Sequence, residues 1–195
     1  MGAFWSSVFF IAAAEMGDKT QLVSLAFAAR YRARTVLLGV FAATLAVHLF
    51  SVTLGEALGM ALPTLWINLV AGGAFIGFGL WTLRGDTIEG NIQSRFANLG
   101  PFLTVAATFF VAELGDKTML ATVTIASCEL QFIGVWLGSS LGMVVADGLA
   151  IVVGVVFGQR LPERAVKFLA GAIFLLFGGW TLLQTLAPLA ELPLR

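Results

Sequence analysis

Glu15-Met16-Gly17-Asp18-Lys19-Thr20 and Glu113-Leu114-Gly115-Asp116-Lys117-Thr118 are two copies of one charged hexapeptide, each set inside an otherwise apolar stretch of membrane-crossing length. An Asp or Lys near the bilayer centre costs roughly 2.5–3.5 kcal/mol on insertion, so three ionisable residues at one depth are a heavy burden, and here the cluster occurs twice. Charges kept in such a place mark function. The rest of the chain fits a membrane setting: of 195 residues, 59% are hydrophobic and 11% charged, and the formal net charge is zero. That composition describes an integral membrane protein. Nucleic acid drops out of the expected partners, leaving the lipid bilayer, divalent cations and protons, with homo-oligomerisation open. The single cysteine, Cys128, excludes an intramolecular disulfide and a thiolate metal cluster.

A crossing takes about 20 mainly apolar residues. Six such stretches are expected: Phe4 to Ala29, Val36 to Gly59, Pro63 to Leu83, Pro101 to Ala126, Phe132 to Gly158 and Glu163 to Leu186. Pro63, Pro101 and Pro162 lie at or just before segment starts, where a missing N–H is harmless. Ala12-Ala13-Ala14 resembles a small-residue cleavage site, but the stretch lacks a basic leader and the fourth stretch repeats its motif. The first segment is therefore expected to be retained.

Self-similarity reaches beyond the hexapeptide. Leu69-Val70-Ala71-Gly72 through Phe78-Gly79-Leu80-Trp81-Thr82-Leu83 reads again as Phe168-Leu169-Ala170-Gly171 through Phe177-Gly178-Gly179-Trp180-Thr181-Leu182, and Gly55 and Gly59 match Gly154 and Gly158. Residues 1–83 and 101–195 are each read as one three-helix repeat, with 84–100 as a cytoplasmic linker. Three crossings is an odd number, so the second repeat enters the membrane from the opposite side. The expected fold is an all-α membrane protein of six transmembrane helices in two inverted three-helix repeats, one repeat rocking against the other. Arg30, Arg32, Arg34, Arg84, Arg95, Arg160, Arg164 and Lys167 then fall on one side and Arg195 on the other. By the positive-inside rule, both termini lie outside the cytoplasm. Spaced glycines such as Gly55-x-x-x-Gly59, Gly73-x-x-x-Gly77 and Gly134-x-x-x-Gly138-x-x-x-Gly142 let helix backbones approach closely. Trp and Phe are read mostly as lipid-facing bulk or interface anchors.

Residues three apart on a helix share a face, so Glu15 and Asp18 are expected to project together, as are Glu113 and Asp116. Inversion about an axis in the membrane plane brings the two pairs together at mid-depth. Gly17 and Gly115 leave room for close approach or local unwinding, which would add carbonyl oxygens. With the hydroxyls of Thr20 and Thr118, these are hard oxygen ligands suited to Ca²⁺, Mg²⁺ or Mn²⁺ rather than Cu⁺ or Zn²⁺. Four acids less Lys19 and Lys117 leave two negative charges, which one divalent ion neutralises. Metal and protons compete for the same oxygens, and that competition is the basis for exchange.

A structural alternative stands beside this. Glu15 with Lys19, and Glu113 with Lys117, are spaced as i,i+4 ion pairs in the favourable order. It leaves Asp18 and Asp116 unassigned, and the lysines either tether the carboxylates or stand in for the cation. Asp147 and His48 occupy matching positions of the two halves. Asp147 is read as lining the pathway or relaying protons, and His48 as a hydrogen-bonded packing residue with the same relay role as its alternative. Gln21, Ser24 and Thr122 are candidate extra ligands. Glu56, Asp86, Glu89, Glu129, Glu163 and Glu191 are read as solvated.

The doubled Glu-apolar-Gly-Asp-Lys-Thr pattern, in six helices forming two repeats, resembles the Ca²⁺:cation antiporter-2 family (uncharacterised protein family 0016), which includes Golgi Mn²⁺/Ca²⁺ transporters and bacterial manganese exporters. The resemblance implies export of Mn²⁺ or Ca²⁺, against protons, with Glu15, Asp18, Thr20, Glu113, Asp116 and Thr118 as the cation site and Lys19 and Lys117 in the motif's basic position. No resident cofactor is expected. With neither an extra N-terminal segment nor a long acidic central loop, the chain looks like the compact bacterial form, in the inner (plasma) membrane. Two rivals are an intramembrane metal-dependent enzyme acting on lipid-linked phosphate and an exporter of small organic cations.

Overall fold

Each hexapeptide interrupts its helix, and these two interruptions organise everything else. The computed structural model describes residues 2–84, 99–157 and 163–190. Eight helices are described: α1 (Gly2–Glu15), α2 (Lys19–Ala28), α3 (Ala33–Ala61), α4 (Thr64–Arg84), α5 (Pro101–Glu113), α6 (Lys117–Glu129), α7 (Phe132–Phe157) and α8 (Glu163–Ala190). Four of them, α3, α4, α7 and α8, are long and apolar enough to cross a membrane, while α1 and α5 are shorter apolar helices.

The stretches 4–29 and 101–126 are therefore not continuous helices; each unwinds at the glycine of its hexapeptide, the local unwinding that Gly17 and Gly115 allow. The reason is local. Gly17 and Gly115 take φ of 75° and 79°, the left-handed conformation with which glycine ends a helix. The next residue starts a new one: Asp18 and Asp116 sit in extended backbone as N-caps of α2 and α6. A stop signal and a start signal stand side by side.

Close contacts give the direction in which each piece runs. Along α7, Gly134 faces Ala3 and Phe4, Gly138 faces Phe4 and Ser7, and Gly142 faces Val8 and Ile11. Further along, the Ala146 carbonyl accepts from Gln21 Nε2 at 3.0 Å and Gly154 faces Leu25. Residue numbers rise together, so α1 and α2 follow one another alongside α7, parallel to it. The twenty steps from Gly134 to Gly154 rise about 30 Å at 1.5 Å per residue, the thickness of a hydrocarbon core. On α3, Gly39 faces Phe102 and Val105, Gly55 faces Val123 and Ala126, and Gly59 faces Ser127 and Leu130. The pair α5–α6 thus lies along α3 in the same parallel sense. Contacts of Gly72 with Gly178 and Leu182, and of Gly79 with Gly171 and Leu175, make α4 and α8 antiparallel. So are α3 and α7: Trp136 Nε1 donates to the Leu45 carbonyl at 2.8 Å, and Gly148 stands beside Leu37.

The extensive contacts, α1 with α7, α3 with α5 and α6, and α4 with α8, all join residues before 85 to residues after 100. The halves interleave along these contacts. Small residues make this possible. A Cβ on Gly142 would stand 2.7 Å from the Val8 carbonyl, and one on Gly178 would stand 2.8 Å from the Gly72 carbonyl, so the backbones are already in van der Waals contact. Aromatic residues do more than face lipid. Phe10, Phe75 and Phe174 are buried in a cluster joining α1, α4 and α8, with ring centroids 5.3 Å apart for Phe10–Phe75 and 5.9 Å for Phe75–Phe174. Trp5, Trp66 and Trp180 are exposed, as expected of lipid-facing residues. Most of the linker 84–100, with Asp86, Glu89 and Arg95, lies outside the described residues, as do Gly158, Arg160, Pro162, Glu191, Arg195 and the side chains of Glu163 and Arg164.

Candidate cation site at the paired helix breaks

At each break the Glu that ends the first half-helix is met by the Thr of the second. Thr118 Oγ1 donates to Glu113 Oε2 at 2.6 Å, and Thr20 Oγ1 donates to Glu15 Oε1. Glu and Thr are five residues apart, a reach that a continuous helix does not give and the glycine break does. Thr20 also donates to Asp18 Oδ2, from its hydroxyl at 3.2 Å and its amide at 3.4 Å. The freed glycine amides are capped alike: Gly17 N donates to Gln21 Oε1 at 2.8 Å, and Gly115 N to Met119 Sδ at 3.2 Å. Gln21 thereby caps its own break and ties it to α7 through the Ala146 carbonyl. Glu15 with Asp18, and Glu113 with Asp116, stay within electrostatic reach of each other, but across a break rather than along one helix face.

The two breaks meet. Lys117 Nζ lies 2.5 Å from Asp18 Oδ1, a buried ion pair linking the second motif to the first. This corrects the i,i+4 pairing of Lys117 with Glu113, because the helix break moves Lys117 to the start of α6 and turns it toward the opposite half. Lys19's side chain lies outside the described residues. Glu15 is within electrostatic reach of Glu113, Asp18, Asp147 and Lys117, and Glu113 of Asp116, Asp18 and Asp147. Four motif acids and Asp147 therefore share one region.

That region is dry. Glu15, Glu113 and Asp147 have no accessible surface, and Asp18, Asp116, Thr20 and Thr118 are buried with them. Buried oxygens are ordinarily hydrogen-bonded, and leaving one unmatched costs about 1–3 kcal/mol. Yet Glu15 Oε2 and Glu113 Oε1 are buried with no hydrogen-bond partner among the described residues, and the Asp147 carboxyl, equally buried, has the Ser24 side chain beside it. The two glutamate oxygens are acceptors waiting for a proton or a cation. Among the described residues no three His, Cys, Asp or Glu side chains converge closely enough to hold one ion as they stand. The donor set, carboxylate and hydroxyl oxygen only, fits a hard divalent cation.

The remaining candidates separate. Ser24 and Thr122 are buried, with their hydroxyls donating to the Gln21 and Thr118 carbonyls, each at 2.9 Å, and the Ser24 side chain also lies against Asp147. His48 does not join the acids through any contact described. It is buried between α3 and α7, with Nδ1 3.3 Å from Ser140 Oγ. Glu129 is exposed and Glu56 partly buried. Sequence reasoning missed Ser140 and Met119; the break that makes Met119 a cap is the signal for it, and Ser140 has none, because its partner lies on another helix.

Comparison with known proteins places the chain in a family. A family profile described as "Divalent cation/proton antiporter GDT1" matches residues 3–90 and again 101–188. The chain belongs to the GDT1 family. This upholds the resemblance carried by the hexapeptides. A Vibrio cholerae protein named "Putative manganese exporter" is 32% identical over 172 residues, covering 87% of this chain and 85% of that protein. A GDT1-like protein of Synechocystis is 30% identical, with 90% of this chain and 94% of that one covered. GDT1-like protein 5 of Arabidopsis thaliana is 29% identical over 87% of this chain and 90% of its own length. No solved structure matches. This GDT1 family member is thus a multi-pass membrane protein of a cation-transporting family.

Proposed function

We propose that the chain exports Mn²⁺, Ca²⁺ or both from the cytoplasm in exchange for protons, using Glu15, Asp18, Thr20, Glu113, Asp116 and Thr118 as one cation site at mid-membrane. The observation that carries this is the Asp18–Lys117 contact between two helix breaks whose acids are buried together. Two broken helices with their ends aimed at a shared site are what a transporter needs where backbone must leave the helix inside the membrane.

In this reading α1–α2 and α5–α6 each make one broken crossing, giving six in all. Support comes from the contact registers. Parallel packing of α1–α2 on α7 and of α5–α6 on α3, with α3 and α7 antiparallel, means the two broken crossings point in opposite directions, as inverted repeats require. The doubled family match falls on the same halves. The ends near Arg30, Arg32, Arg34 and Arg84 are then cytoplasmic and both termini lie outside, in the plasma membrane of a bacterium. Because the halves interleave, access changes by movement at the two breaks. Asp147 lines the same region, and Gln21 fixes one break against α7. An incoming cation draws the carboxylates together and displaces whatever protons they hold; the reverse step releases it outside.

The test is Mn²⁺ and Ca²⁺ exchange for protons in inside-out vesicles. Asp18→Asn and Asp116→Asn are expected to abolish it while the protein still inserts at normal levels. Wild-type rates in both variants would remove the site from the mechanism.

A further inference from the structure

The most buried cation described in the molecule is its own. Lys117 is the first residue of α6, buried, and paired to Asp18 at 2.5 Å. It also lies within electrostatic reach of Glu15 and Asp116, so one ammonium faces acids of both motifs. A positive charge at a helix N-terminus opposes the helix dipole, and a lysine placed there is held by the acids rather than by its own helix. In the same region remain buried carboxylate oxygens that the ammonium does not serve, Glu15 Oε2 and Glu113 Oε1.

We infer that the Lys117 ammonium is the transported cation's internal competitor, holding Asp18 and the centre of the site until a divalent ion displaces it. This rests on the reading of the acids as a cation site and adds the regulation of that site. The chemistry favours the exchange in one direction only when the ion is present. An ammonium brings one charge and three N–H donors. A divalent ion brings two charges and takes six or more oxygen ligands, so it can gather the carboxylate oxygens the lysine leaves unmatched. A divalent ion drawn to Asp18 Oδ1 repels the ammonium held at the same oxygen, so Lys117 swings out as the metal enters and returns as it leaves. The returning lysine helps expel the metal and keeps the emptied acids paired in the low-dielectric interior, where a buried carboxylate without a counter-charge is strongly disfavoured. The tethered form cannot bind metal, so it lowers apparent affinity in proportion to its population.

The experiment is titration of the purified full-length protein with Mn²⁺ and, in parallel, Ca²⁺ by calorimetry, beside exchange rates in proteoliposomes, for wild type, Lys117→Gln, Lys117→Arg and Asp18→Asn. If the tethered form makes up nine-tenths of the empty protein, Lys117→Gln binds metal about tenfold more tightly. Its exchange turnover falls, because release loses the lysine's help. Lys117→Arg keeps the charge and stays near wild-type affinity. A merely structural lysine would lower binding and turnover together. Unchanged or weaker binding by Lys117→Gln, with binding lost in Asp18→Asn, overturns the competitor role and leaves the cation site standing. Wild-type binding by Asp18→Asn overturns the cation site itself, and the competitor role with it. If Lys117→Gln does not fold, Lys117→Met, uncharged and of similar length, decides on the same criteria.

Discussion

Gly115 shows how a single residue makes the site. Its φ of 79° is one that a side chain with a Cβ adopts only at a cost of about 1–2 kcal/mol, and Asn tolerates it better than Ala. A Cβ there would meet nothing within 4 Å, so the penalty is conformational and not steric. Gly115→Ala is accordingly expected to destabilise the protein by about 1–2 kcal/mol, and Gly115→Asn by less, measured as lowered unfolding temperatures in detergent. The break itself was legible in Glu-x-Gly-Asp-Lys-Thr. Gly followed by Asp is a helix stop followed by a helix cap, and reading the stretch by hydropathy alone hid it, because apolar composition continues on both sides. What no spacing rule could give is the partner of Lys117. Once the helix breaks, the i,i+4 neighbour Glu113 is lost, and the nearest acid belongs to the other half of the chain.

Between helices, glycine spacing predicts close packing only where a partner is present. Gly55-x-x-x-Gly59 on α3 presses on the α6 backbone, where a Cβ on Gly55 would collide with the Val123 carbonyl. Gly73-x-x-x-Gly77 on α4 has the same spacing, yet a Cβ at either position meets nothing within 4 Å. Overpacking a tight contact costs typically about 1–3 kcal/mol, while an open face accepts the same side chain. Gly55→Val is therefore expected to lower the yield and unfolding temperature of the purified protein, and Gly73→Val to leave both near wild type. The α3, α4, α7 and α8 boundaries were readable because long apolar runs ended in turns or at proline, as at Pro63 before α4. The interleaving was not, because self-similarity of Leu69 to Leu83 with Phe168 to Leu182 reports that two units are alike. It does not report that each leans on the other.

Across the molecule, the registers along α3 and α7 and the doubled family match belong to one design: two copies of a broken helix, each cradled by the opposite half. The cradle positions the motifs, and in the proposed reading the buried, partly unmatched acids between them are the place where the chain holds charge inside the membrane. Sharing is the central claim: acids from both breaks serve one ion, not two separate ones. Counting bound Mn²⁺ per chain by calorimetry, in wild type, Asp18→Asn and Asp116→Asn, tests it most directly. One ion per chain in the wild type, lost in either variant, is the predicted result; two ions in the wild type, with each variant giving up one and keeping the other, would contradict it.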